Sequence, residues 1–123
     1  MYVINKDGAY LYDAATHTLK GVTAGDFRKA VAVSQEFAAT APVCIVLVAN
    51  LEKLGDPASE NTRMTAAIDG GIVNQNINVF CAAVGLSTVP RGTMDQAELK
   101  TALKLSDKQV LILNNPVGYP KRQ

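Results

Sequence analysis

Asp69-Gly-Gly-Ile-Val-Asn-Gln-Asn-Ile-Asn-Val-Phe-Cys-Ala-Ala-Val-Gly-Leu86, followed closely by Val89-Pro-Arg-Gly92, decides how the rest of the chain is read. The stretch has the character of a long buried helix stopped by a glycine, then a short strand and an Arg-Gly turn. Two glycines inside a helix are costly, each by roughly 1 kcal/mol relative to alanine. Gly70 and Gly71 therefore mark a place where another backbone or a ligand comes close. At 100° per residue three faces separate. Ile68, Ile72 and Val79 form one apolar stripe, and Val73, Ile77, Phe80 and Val84 a second. Ala67, Gly71, Asn74 and Asn78 form a strip of small and amide side chains. A helix apolar on most sides is expected to be buried in its domain or in an interface. Its amides then need partners, because an unpaired buried amide costs about 1–3 kcal/mol.

Working outward, the helix is predicted to start near Ser59 or Asn61 and to run to Val84, with Gly85 as the residue that ends it. Upstream, Val43-Cys-Ile-Val-Leu-Val-Ala49 is short, β-branched and apolar throughout, the pattern of a strand covered on both faces. Tyr2-Val-Ile and Tyr10-Leu-Tyr flank Asn5-Lys-Asp-Gly8, which predicts a hairpin with glycine supplying a positive φ. Ala14 to Val22 reads as a connection. Thr23-Ala-Gly-Asp26 resembles a capping box for a helix carrying Phe27, Ala30, Val31, Ser34, Phe37 and Ala38, ending near Thr40 ahead of Pro42. Downstream, Ser87-Thr-Val-Pro90 is a strand candidate confined to an edge by its proline. Asp95 is a candidate cap for a helix with Leu99, Ala102 and Leu103 on its apolar face. Gln109-Val-Leu-Ile-Leu113 is the final strand. The order β-β-α-β-α-β-α-β predicts an α+β layout, with a mixed or antiparallel sheet, in one domain spanning residues 1–123.

The chain has 123 residues, 48% of them hydrophobic and 19% charged, with a formal net charge of +1; this supports one globular core and excludes the basic stripe of a nucleic-acid binder. No apolar run reaches the length that spans a bilayer, and Met1-Tyr-Val-Ile-Asn-Lys is not a secretory leader. Cys44 and Cys81 lack metal or dithiol spacing and are expected to be reduced core thiols, which fits a cytoplasmic setting. His17 is the only histidine and falls in a predicted loop, where solvation is the simplest role for it. No GxSxG elbow, GxGxxG or GxxxxGK[ST] is present, and no cluster of metal-ligating residues. A chain without acid, base, nucleophile or metal can still catalyse through an organic cofactor that carries the chemistry itself. Gly92 lets backbone approach a flat ring, Arg91 offers donors for a phosphate or carboxylate, and Lys121 and Arg122 add positive charge.

Taken together, Asp69-x-Gly71-x-x-x-Gln75-Asn76, then Ala82-Ala-Val-Gly-Leu86, then Val89-Pro-Arg-Gly92, resemble the FMN-dependent nitroreductase superfamily. Pro116-Val-Gly-Tyr-Pro120 is similar to that family's V-G-Y-P ending. Tyr2-Val, Gly8-x-Tyr10-x-Tyr12-Asp13, His17-x-Leu19, Gly25-Asp26-x-Arg28 and Ala41-Pro42 resemble the branch that includes azoline-oxidising (SagB-type) dehydrogenases. The resemblance implies a nitroreductase-like α+β fold with a long central buried helix. It implies a homodimer in which NAD(P)H reduces FMN and the flavin passes electrons to a nitroaromatic or quinone-type acceptor. It places Val89, Pro90, Arg91 and Gly92 against the flavin ring and Lys121 near the phosphate, and it names no catalytic side chain and no metal. The family's Arg-x-Ser-x-Arg and Pro-Ser-x-x-Asn segments have no match, so the resemblance implies a member lacking its N-terminal segment. Three readings stay open: a flavin oxidoreductase, a dimeric relative that no longer binds FMN, and an α+β module for another ligand.

Overall fold

A computed structural model describes residues 1–122. The elements are β1 (Tyr2–Ile4), β2 (Gly8–Asp13), β3 (Thr18–Ala24), α1 (Arg28–Ala32), α2 (Glu36–Ala39), β4 (Val43–Asn50), α3 (Glu60–Ala83), β5 (Ser87–Thr88), α4 (Gln96–Ala102) and β6 (Gln109–Gly118). The strands form one sheet in the order β3-β2-β1-β4-β6-β5, every neighbouring pair antiparallel. This is the expected α+β layout, with the antiparallel option taken.

The predicted hairpin forms, Ile4 pairing with Ala9, but its turn is made differently. The Asn5 side chain accepts from the Asp7 and Gly8 N–H groups at 2.9 and 3.0 Å, an Asx turn. Gly8 does not have a positive φ; a Cβ there would sit 3.0 Å from the Thr23 carbonyl oxygen, so space on the neighbouring strand sets the glycine. That neighbour is β3, an exposed edge strand where a connection is expected from the sequence. Its Thr-Leu-Lys-Gly-Val-Thr-Ala run is weakly apolar because neither of its faces is deeply buried. Thr23 ends up in this strand, donating its hydroxyl to the Ala102 carbonyl at 2.7 Å, and does not cap a helix.

Asp13 of β2 pairs with Lys20 of β3 at 2.5 Å. The Lys20 ammonium, with the Ala15 N–H behind it, holds this carboxyl down at about 2. A carboxyl lowered on folding contributes stability that is complete above its unfolded value of about 3.9 and is lost as pH falls through the folded value. An NMR titration is expected to place the Asp13 midpoint near 2, and Lys20→Met should return it toward the unfolded value.

The single helix expected over residues 27–40 is two short ones. Val33 breaks it, with φ 56° and ψ −98°, a conformation strained for a β-branched residue. The core lies between one face of the sheet (Ile4, Cys44, Val46) and α1 and α4, through Val31, Leu99 and Leu103. Asp95 caps α4 as predicted, its Oδ1 accepting from the Glu98 N–H at 2.9 Å. Cys44 and Cys81 are free and buried, and burial pushes the Cys44 thiol up to about 11.

The other face of the sheet carries α3, packed on β4 and β6. The helix has the predicted span and ends at Gly85, φ 78°. The residues it buries are Thr62, Ala66, Asn74 and Cys81, all small. Gly70 shares their side, and a Cβ there would fall 2.5 Å from Ile112 Cγ2 of β6. The Ile68, Ile72 and Val79 stripe lies about 180° around the helix from this line. It is exposed in the single chain, with Ile68 at 56% and Phe80 of the second stripe at 62%. Of the two expected covers for the apolar stripes, the domain or an interface, this chain does not itself cover the Ile68, Ile72 and Val79 stripe, while Ile77 of the second stripe is half-buried. The small residues meet the sheet because they let the helix approach it closely; the Ile68, Ile72 and Val79 stripe points outward, while Val73, Ile77 and Phe80 border a hollow against Val43, Ile45 and Val117 of the sheet. A Cβ on Gly71 would meet nothing within 4 Å, so the chain's own packing accounts for the first glycine of the pair and not the second.

Candidate functional site

A cleft of about 750 Å³ opens between α2, the strand β5 and the end of β6. Its walls include Phe37, Pro42, Thr88, Val89, Tyr119 and Lys121. Phe37 is half exposed, and its ring stands 6.0 Å from the Arg91 guanidinium carbon behind it. A cleft of this size, largely apolar with a few polar groups, is the ordinary form of a small-molecule site.

Of the five residues expected to hold a flavin, Val89 and Lys121 line this cleft, while Pro90, Arg91 and Gly92 continue the chain from Val89 outside its lining. Gly92 is exposed, and a Cβ added to it would meet nothing within 4 Å. Arg91 is only 7% exposed. Its Nη1 donates to the Val31 carbonyl at 2.8 Å and to Asn114 Oδ1 at 2.7 Å. Its Nη2 donates to the Ala32 carbonyl at 3.0 Å and its Nε to Gln35 Oε1 at 2.5 Å. The guanidinium thus closes the end of α1 and braces the Val33 elbow. It faces neutral acceptors at the negative end of a helix, and neither ion pair among the described residues includes it. Burial pulls its pKa down. Four of its five donors are held within the chain, so a bound anion would meet the backbone of this segment more readily than the Arg91 fork.

His17 sits in the exposed β2–β3 turn, its Nδ1 2.9 Å from the Tyr12 hydroxyl and remote in sequence from the cleft walls. No group of His, Cys, Asp and Glu among the described residues can hold a metal. Sequence reasoning missed Asn114 and Asn115, both fully buried in β6. Asn115 donates to Asn78 Oδ1 at 2.9 Å and accepts from Asn74, whose own Oδ1 accepts from Asn78 at 3.3 Å. This closed ring of three amides supplies the partners that the α3 amide strip requires. The missed signal was two adjacent amides directly after the apolar run Val110–Leu113. Phe37 was missed as a cleft residue because its spacing fitted the core face of a continuous helix.

The cleft offers apolar walls and a cation, Lys121, with the exposed Gly92 outside its lining. Residues 1–119 match the model of the nitroreductase family. MJ1384 of Methanocaldococcus jannaschii, provisionally assigned as a nitroreductase, is 26% identical over 116 residues, covering 92% of this chain and 58% of that protein. The crystal structure of a provisionally assigned nitroreductase from Ralstonia eutropha JMP134 superposes with a TM-score of 0.86 at 28% identity, over 99% of this chain and 58% of that one. A chain of the Escherichia coli microcin synthetase McbBCD complex superposes with a TM-score of 0.85, over 98% of this chain and 51% of that one; at 12% identity that likeness is one of fold. The chain thus spans a little over half the length of the relatives it matches. Its sheet, its long helix and a sequence match running from Met1 to Tyr119 place it in the nitroreductase family.

Proposed function

We propose that this chain is the larger part of an FMN-dependent oxidoreductase acting in the cytoplasm as a homodimer. The observation that carries the reading is the cleft that brings Val89 and Lys121 together, with the unobstructed Gly92 just beyond it. FMN, when bound, supplies the redox chemistry, accepting hydride from NAD(P)H and delivering electrons to a nitroaromatic or quinone-type acceptor. The chain's own residues bind and orient: Lys121 for the phosphate, Phe37 and Val89 as walls that exclude water. Residues of the whole protein beyond this chain, of the Arg-x-Ser-x-Arg and Pro-Ser-x-x-Asn type, would complete the phosphate and ring contacts. The SagB-like motifs of the N-terminal half support the azoline-oxidising branch on this reading. Exposed apolar residues of α3 and the open side of Gly71 support the dimer, since contiguous apolar patches of this kind mark interaction sites. No helix among the described residues is long and apolar enough to cross a membrane.

A second reading, a dimeric relative that does not hold FMN, is favoured by one observation: the Arg91 donors are engaged inside the chain. Titration with FMN separates the two. The expected result is uptake with quenched flavin fluorescence, strengthened in a protein extended to the full length of the relatives. Absence of uptake in that longer protein would sink the flavin reading. Mass in solution reads the dimer independently, and a stable monomer at micromolar concentration counts against it.

A further inference from the structure

We infer that Asn114 and Asn115 act as positioning residues, clamping segment 88–93 from the two faces of the sheet. Building on the flavin reading above, they thereby set the Val89–Gly92 backbone at the distance from the ring that binding requires. Adjacent residues of a strand point to opposite faces, and both of these amides are completely buried. On one face, Asn114 Nδ2 donates to the Thr93 carbonyl at 3.0 Å and its Oδ1 accepts from Arg91 at 2.7 Å. On the other, Asn115 Nδ2 donates to Thr88 Oγ1 at 3.2 Å, and that hydroxyl donates onward to the Pro116 carbonyl at 2.8 Å.

The clamp answers a shortage of ladder. Strand β5 has two residues, and beyond it this segment meets β6 through a single bridge, Arg91 with Asn114, two backbone bonds of 2.8 Å. Val89, Pro90 and Gly92 take no part in the sheet. A segment so thinly paired would fluctuate. Side-chain bonds at Thr88, Arg91 and Thr93 replace the missing ladder on both sides of the residues they leave free. Apolar residues at 114 and 115 would fill the same space without fixing that position, and no polar side-chain atom buried among the described residues lacks a partner. The amides thus fix the register of the segment as well as filling space.

Thr88 is the position at which to test this, because it lies at the sheet edge and its loss does not threaten the core. Thr88→Val removes the hydroxyl with little change of shape; Thr88→Ser keeps it. In the protein without FMN, hydrogen exchange of residues 88–93 is expected to quicken in Thr88→Val, while β1 and β4 exchange at the original rates. FMN affinity should fall about tenfold, the worth of one to two hydrogen bonds. Thr88→Ser should restore both. Unchanged exchange in 88–93, or quickening spread evenly over the sheet, overturns the clamp. So does local quickening with unchanged FMN affinity, since the segment then has no hold on the ring. If the wild-type chain takes up no FMN, the flavin reading fails by that result, and the exchange measurement still decides whether the amides hold the segment.

Discussion

Arg91→Met is expected to lower the free energy of unfolding by about 3–5 kcal/mol, read from urea denaturation monitored by circular dichroism. The substitution keeps much of the apolar stem and removes the fork. It strands the Val31 and Ala32 carbonyls, Gln35 Oε1 and Asn114 Oδ1, which the guanidinium now satisfies. A buried acceptor left without a donor costs about 1–3 kcal/mol, and several are stranded together here, offset in part by relief of the guanidinium's own desolvation. Domains of this size are stable by only about 5–15 kcal/mol, so the variant falls near the threshold of folding. Arg91→Lys should recover less than half of the loss, because a single ammonium cannot reach four acceptors arranged around a planar fork. A loss below about 1 kcal/mol for Arg91→Met would show that the fork does not hold α1 to this segment.

The two helix glycines should respond with opposite signs. Gly70→Ala places a methyl 2.5 Å from Ile112 Cγ2, an atom on a branched carbon that cannot swing away. Overpacking of this kind costs about 1–3 kcal/mol, against about 1 kcal/mol gained in helix propensity, so a net loss of about 1–2 kcal/mol is expected. In an Ile112→Ala background the cost should vanish. Gly71→Ala meets nothing within 4 Å and should stabilise the single chain by up to about 1 kcal/mol. If α3 is the dimer surface, the same methyl should weaken association, seen as a dissociation constant raised in sedimentation. Equal responses at the two positions would refute this division of labour.

The sequence was most legible where a local signal and the tertiary demand agree. The Asp95 cap, the apolar β4 and the Gly85 stop were each visible in a few consecutive residues, and each is formed as read. It was least legible where a distant residue decides. Helical spacing over Phe27–Ala38 was real, yet Arg91, some sixty residues on, holds an elbow at Val33 that splits the helix. Amphipathic reasoning found the apolar stripes of α3 but could not say whether the domain or an interface covers them, because hydrophobicity does not reveal that close approach to a sheet selects the small side of a helix. For the site, the resemblance brought Val89 and Lys121 to the cleft. It could not show that the Arg91 fork turns inward, since three of its four partners lie in the α1–α2 elbow, far away in sequence.

The place of β6 in the sheet sets a condition on the timing of folding. It is the sixth strand in sequence, yet it lies between β4 and β5, pairs with both, and carries the residues that hold α3 and segment 88–93. Until residues 109–118 are made, β4 lacks a partner along one edge, β5 has no strand to pair with, and α3 lacks the main surface it packs on. The three N-terminal strands can pair early, and everything on the far side of β4 must wait. Such late, long-range closure slows folding and leaves apolar surface uncovered in the interval. The far half of the sheet thus waits on β6, and the cleft, walled by β5 and the end of β6, takes shape only with it.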